Sequence, residues 1–155
     1  MIKKFIVRII RLLKGVGVLK NIYKISYQGQ GVSLNQYYSS GHWSIRYKLV
    51  AKYHDIFKDL FEESELKELD GFYLLMFYNS RHDVDNTVGL TKLFVDALKG
   101  LYVKEDNKKF YKGVMLFCDG SLPTNTFEFY ILEDGNNITS TNRRCETQVE
   151  LFEAN

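Results

Sequence analysis

Apolar residues recur over the first fourteen positions at Ile2, Phe5, Ile6, Ile9, Leu12 and Leu13, with basic residues mostly between them. That spacing follows the helical period and predicts a short basic amphipathic helix, which the glycines of "GVG" at 15 to 17 break. Its apolar stripe is expected to dock on the domain or on a second subunit, since nothing else in the chain points to lipid. Next, "NIYKISY" (21 to 27) alternates and is β-rich, predicting a strand. A loop rich in glycine, serine and asparagine follows, "QGQGVSLNQYYSSGHW". From Ser44 as N-cap, "IRYKLVAKYHDIFKDLF" sets Ile45, Leu49, Tyr53, Ile56, Phe57 and Leu60 on one face, predicting a helix of about four to five turns. "FYLLMFY" (72 to 78) is apolar on both faces and bounded by Gly71 and Asn79, the pattern of a fully buried central strand. A helix is expected from about Thr87 to Lys99, stopped by Gly100. "KFYKGVMLFC" and "TFEFYILE", joined by the turn formers of "DGSLPTN", predict an antiparallel hairpin.

The elements add up to an α+β fold: β-α-β-α-β-β, a mixed sheet with two flanking helices, plus the additional N-terminal amphipathic helix. The chain divides accordingly into that helix (1–20), a central domain (21–134) and a polar C-terminal extension (135–155), whose "TQVELFE" either adds an edge strand or stays loose.

Composition narrows the class. A length of 155 residues suits one hydrophobic core, and 45% apolar with 26% charged residues excludes a disordered chain. Aromatic residues reach 15%, which fills cores and also offers stacking surfaces for nucleic-acid bases. Cys118 and Cys145 lack the spacing of a disulfide framework or a zinc site, so a reducing, cytoplasmic setting fits. No apolar run approaches the roughly 20 residues that span a bilayer. "FIVRIIRLL" is interrupted by Arg8 and Arg11 and has no small-residue cleavage site, against a secretory signal. The net charge of +2 conceals a polarised chain: residues 1 to 54 hold ten Lys or Arg and no acid, and all 19 acidic residues come after them. Such a half supplies a footprint for phosphates or is simply a solvated surface, and charge alone does not choose.

The candidate chemistry lies in "RHDVDN", at the end of the buried strand. In extended chain residues i and i+2 project to one side, which would bring the carboxylates of Asp83 and Asp85 together. Two carboxylates that close repel unless a cation lies between them, and Mg²⁺ takes hard oxygen ligands, keeps waters and binds phosphates. Glu105 and Asp106 follow the helix, where the chain has room to return beside the strand and add a third carboxylate. The plainer reading is that Asp85 or Asn86 caps the helix and "ED" is an ordinary turn; local rules alone favour it.

"DVDN", then "KLFVDALKG", then "ED" resembles the core signature of the RusA family of Holliday junction resolvases. "SLNQYY" (33 to 38) is similar to the loop that follows the first strand there, the order of elements agrees, and the resemblance spans about residues 21 to 133. It implies a homodimeric endodeoxyribonuclease, dependent on Mg²⁺ with Mn²⁺ as a substitute, that recognises four-way DNA junctions by shape and makes paired nicks in recombination and repair. Small resolvases of this type resemble phage-borne enzymes, which act in the host cytoplasm. By motif, Asp83, Asp85 and Asp106 would be catalytic and hold the metal, Glu105 would be an assisting acid and Lys92 the catalytic lysine. The expected DNA contacts are Asn35, Tyr37, Tyr38, Arg46, Arg81, Lys104, Lys108 and Lys109, with no small-molecule substrate and no membrane. An ion so held would activate water for in-line attack on a phosphodiester, while a lysine steadies the charge of the phosphorane.

One departure bears on that role: the family lysine falls four residues after the second aspartate, whereas Lys92 is seven after Asp85. If the helix starts at once, Lys92 lies two turns up, roughly 10 Å along the axis; if "TVGL" loops out at Gly89, the family geometry returns. Asp96 shares a helical face with Lys92 and reads as structural. His82 and His54 read as bystanders, and His42 with Trp43 as DNA contacts or a core anchor. Two rivals stand beside the nuclease: a DNA-binding protein of the same fold that has lost activity through the displaced lysine, and a small interaction protein whose acidic turn is only a cap.

Overall fold

The computed structural model describes residues 2–38 and 41–136. The expected strand at "TQVELFE" and Cys145 lie outside them. Eight elements follow in order: α1 (Ile2–Gly15), β1 (Leu19–Gln28), α2 (Leu34–Tyr37), α3 (Trp43–Glu63), β2 (Phe72–Asn79), α4 (Val84–Leu98), β3 (Tyr111–Cys118) and β4 (Thr126–Asp134). The strands form one mixed sheet in the order β1-β4-β2-β3, with β4 antiparallel to both its neighbours and β3 parallel to β2. The α+β class with a mixed sheet is therefore as expected.

The expected hairpin is not formed: β3 and β4, adjacent in sequence, are not neighbours in the sheet. Their connection, residues 119 to 125, is longer than a tight hairpin turn and crosses the end of β2, where Asp119 N–H donates to the Tyr78 carbonyl at 2.8 Å and Asn79 Nδ2 to the Leu122 carbonyl at 2.6 Å. Burial drives the choice. Phe127, Phe129 and Ile131 of β4 face one core and Tyr130 and Leu132 the other, so β4 needs cover on both sides. β3 does not; Val114 and Met115 are 43% and 45% exposed, and it takes the edge.

β2 is central because its two faces serve two cores. Leu74, Met76 and Tyr78 meet α3 and α4, through Phe57, Phe61 and Phe94, while Leu75 and Phe77 meet Ile10 of α1 on the opposite face. The Phe94 ring stacks on Phe129 with centroids 4.1 Å apart, at the centre of the larger core. α1 docks on the domain through Ile6, Val7 and Ile10, and the expected stripe docks only in part: Phe5, Ile9, Leu12 and Leu13 stay exposed. Lys3 of α1 reaches Glu128 of β4 at 2.5 Å, and Lys24 of β1 reaches the same carboxylate at 3.0 Å.

Two helix starts differ from expectation. α3 is capped by His42, whose Nδ1 accepts from Ser44 N–H at 3.3 Å, so Ser44 falls inside the first turn. α2 is a single turn within the expected loop, closed by a reciprocal capping box: Gln36 N–H donates to Ser33 Oγ at 3.1 Å and Ser33 N–H to Gln36 Oε1 at 2.8 Å.

Candidate functional site

α4 crosses from the carboxyl end of β2 to the amino end of β3, because those two strands are parallel. Its first residue is Val84, three earlier than expected, with Asp83 as N-cap in extended conformation (φ −64°, ψ 162°). The two aspartates are accordingly a cap and a first-turn residue, not i and i+2 of a strand. Asp83 makes no side-chain cap bond; Thr87 Oγ1 donates instead to the Asp83 carbonyl at 2.9 Å. Asp85 Oδ1 accepts from Asn86 N–H at 2.9 Å. Both carboxylates are exposed, and neither joins an ion pair among the described residues. The free N–H groups and the dipole of α4 favour negative charge here. Underneath, burial pushes the Tyr78 hydroxyl above the usual phenol range, the Thr87 hydrogen bond opposes it, and the charges of Cys118, Asp83 and Asp85 add to it.

The helix is unbroken through "TVGL", so no residues loop out. Gly89 serves another purpose. A Cβ there would lie 2.5 Å from the Ser33 carbonyl carbon, 2.6 Å from its oxygen and 2.7 Å from Leu34 N, so only glycine lets α2 rest directly on α4. That contact delivers Tyr37 and Tyr38 to the flank of α4. Tyr37 donates its hydroxyl to Asp96 Oδ2 at 3.1 Å, which accounts for Asp96 as a structural residue. Lys92 Nζ lies 5.8 Å and 5.5 Å from the Tyr37 and Tyr38 ring centroids, and Arg46 of α3 approaches the same rings at 4.7 Å and 5.6 Å. The Tyr38 hydroxyl beside it holds the Lys92 ammonium above its ordinary range, against the effect of burial, with Tyr37 and Asp96 adding to the pull. Lys92 is therefore a fixed positive charge near neutral pH, about 10 Å along the axis from Asp85.

Asp106 does not join this site. It and Glu105 both pair with Lys99, each at 3.2 Å, just past the end of α4. A helix of 15 residues is about 22 Å long, and Asp83 and Asp106 follow its opposite ends. The physical reason is the parallel crossover, which carries the chain away from the carboxyl end of β2 before releasing it. Among the described residues no three His, Cys, Asp or Glu side chains stand together as a metal group. Lys104, Lys108 and Lys109 share the Asp106 end, with Lys109 over the Phe110 ring at 5.6 Å, so they are not placed to hold DNA against Asp83 and Asp85 of the same protomer.

The remaining expected contacts are nearer. Arg81 is exposed two residues before Asp83, and Asn35 lies on α2. The His82 Nδ1 is buried without a hydrogen-bond partner among the described residues, His54 is half-buried on α3, and His42 is used as a cap. Trp43 is 74% exposed and is no core anchor. A cavity of about 830 Å³ lies on the other face of the sheet between α1 and the ends of β2 and β3. Its basic wall of Lys4, Arg8 and Arg11 forms no ion pair among the described residues.

Two contributors escaped the sequence reading: the α2 turn, signalled by the S-x-x-Q spacing of "SLNQ", and the packing role of Gly89, which leaves no local signal. Among the described residues no helix is long and apolar enough to cross a membrane. Compared with known proteins, the chain matches no family model and no curated protein.

Proposed function

We propose that this chain is a metal-dependent endodeoxyribonuclease of the RusA kind, acting on branched DNA. The observation that carries the reading is the pair of exposed carboxylates, Asp83 and Asp85, without an ion pair among the described residues, heading a helix whose flank presents Lys92 and Arg46 on a tyrosine shelf. Two carboxylates with waters and a substrate phosphate are an ordinary donor set for Mg²⁺, so the oxygen chemistry of Asp83 and Asp85, exposed at the head of α4, suits the ion that the motif implies, and Mn²⁺ in its place. When bound, the ion supplies an activated water and charge stabilisation at phosphorus.

The chain's own residues do the rest. Asp83 and Asp85 supply hard oxygens and, without a cation, repel a phosphate. Lys92 and Arg46 attract the backbone and hold it along α4; Lys92, with its proton retained, acts as a charge and not as a base. Tyr37 and Tyr38 keep both cations in place. Lys4, Arg8 and Arg11, on the opposite face of the sheet, offer a separate positive surface for a second duplex arm. Paired nicks need two such sites, which is the reason to expect a homodimer.

The test is nicking of a synthetic four-way junction in Mg²⁺ by wild type, Asp83→Asn, Asp85→Asn and Lys92→Ala. Each Asp variant should lose cleavage while binding the junction as well or more tightly, because carboxylate–phosphate repulsion is relieved. Undiminished cleavage by both would sink the assignment. A second reading, a junction-binding protein without cleavage, is favoured by the distance of Asp106 and of Lys92 from the Asp pair. Tight binding with no nicks in either Mg²⁺ or Mn²⁺ selects it.

A further inference from the structure

The N-terminal part of α3 runs on past the core. Its first fully packed residue is Tyr53, whose ring meets Tyr27 edge-on at 6.2 Å and whose hydroxyl donates to the Gln30 carbonyl at 2.7 Å. Of the ten residues before it, Trp43 to Lys52, none is buried; Leu49 and Val50 still pack against the core, so the part that runs past it is Trp43 to Lys48, about 9 Å long. This stretch is not the polar helix end that exposure would favour. Trp43 is 74% exposed, Tyr47 69% and Ile45 59%, and Trp43 and Tyr47, four apart, share a face. The charge is of one sign: Arg46, Lys48 and Lys52, with no acid before Asp55.

We infer that the first turns of α3 form a prong whose Trp43 and Tyr47 stack on bases left unstacked at a DNA branch point, with Arg46, Lys48 and Lys52 on the flanking phosphates. The inference rests on the branched-DNA reading and names how such DNA would be told from duplex. An exposed indole and phenol among cations suit a polyanion that offers flat apolar faces, which is the chemistry of unpaired nucleotides. A regular duplex hides those faces; a junction exposes them. The prong is also tied to the candidate site. Arg46 lies over Tyr37 and Tyr38, the rings that carry Lys92, so a base stacked on Trp43 would have its backbone led towards α4.

Trp43 is the only tryptophan in the chain, so its fluorescence reports the prong alone. The full-length protein is titrated, without metal and at low salt, with a four-way junction and with linear duplex of the same arm sequence, and anisotropy of labelled DNA follows binding in parallel. The junction should quench Trp43 strongly and the duplex weakly. Trp43→Ala, at a site exposed enough to leave the fold intact by circular dichroism, should weaken junction binding by roughly 5- to 150-fold, the range of one aromatic–base stack, and Trp43→Phe should recover most of it. Junction binding by anisotropy with unchanged Trp43 emission, and equal affinity for Trp43→Ala, overturns the prong and leaves the nuclease reading standing. Emission of a buried indole in the free protein, with Trp43→Ala lowering the mass by light scattering, overturns it in favour of a contact between two copies. No binding of either DNA removes the prong and the branched-DNA reading together.

Discussion

Replacing Gly89 by alanine separates helix propensity from the packing that assembles the site. Within a helix the change should help, since glycine is about 1 kcal/mol less favourable than alanine. Here the added methyl would stand 2.5 Å from the Ser33 carbonyl carbon and 2.7 Å from Leu34 N, atoms of main chain that no rotamer change can clear. α2 must then lift off α4. Overpacking of this kind costs about 1–3 kcal/mol, and rigid backbone on the receiving side argues for the upper end. The difference, a net loss of about 1–2 kcal/mol, corresponds in a chain of this size to a fall of roughly 2–8 °C in Tm. Urea unfolding followed by far-UV circular dichroism should show a lower midpoint at unchanged m. Because α2 carries the tyrosine shelf, Lys92 should also lose its raised pKa, which NMR titration of the lysine ε-methylene reads independently. A Gly89→Ala protein as stable as wild type, with Lys92 unmoved, would refute the close approach of α2 and with it the placement of Tyr37, Tyr38 and Arg46.

Burial pushes the Glu128 carboxyl up, but Lys3 and Lys24 outweigh it and hold it below the ordinary value of 4.5. Its contribution is therefore fully present above that value and is lost as pH falls through the depressed one. Glu128→Gln should cost about 1.5–3 kcal/mol at pH 7 and flatten the acid limb of a stability–pH curve, measured by urea midpoints; an unchanged limb contradicts the tether of α1. Phe57→Ala should cost about 3–5 kcal/mol, since its ring touches Tyr27, Tyr53, Phe61, Phe94 and Phe129 at once, and a loss under 1 kcal/mol would mean that α3 is not packed as described. Asp106→Asn should leave junction cleavage within about tenfold of wild type, a change of no more than about 1.4 kcal/mol in the barrier, and full loss of cleavage with intact folding would return Asp106 to the site.

What could be read from the chain depended on how local the cause was. The run "FYLLMFY" announces a strand buried on both faces, and the stripe from Tyr53 to Leu60 announces the packed part of α3; both follow from side chains alone. The N-cap of α3 was misplaced because cap rules favour serine, whereas the imidazole of His42 accepts the same kind of bond. The β3–β4 hairpin was misread because pairing is decided by which strand needs cover on two faces, a comparison between distant segments. The same non-local choice governs the site. That Asp83 and Asp85 lie at a strand end was legible; that Asp106 lies at the other end of α4 follows only from β3 being parallel to β2, which no spacing records.

The aspartate pair can finally be weighed as structure against function from its own contacts. A capping residue stabilises a helix by about 1 kcal/mol through a side-chain bond to a free N–H group of the first turn. Asp83 sits at the cap position and makes no such bond, and Asp85 reaches only the N–H of the next residue. What remains to them structurally is the dipole, worth about 0.3–1 kcal/mol for an exposed group. At the far end of α4 Glu105 and Asp106 share Lys99, whereas Asp83 and Asp85 join no ion pair among the described residues. Two acids that contribute little to the fold, on a helix whose flank carries Lys92 two turns further on, fit the cation and phosphate of the proposed function better than a capping role.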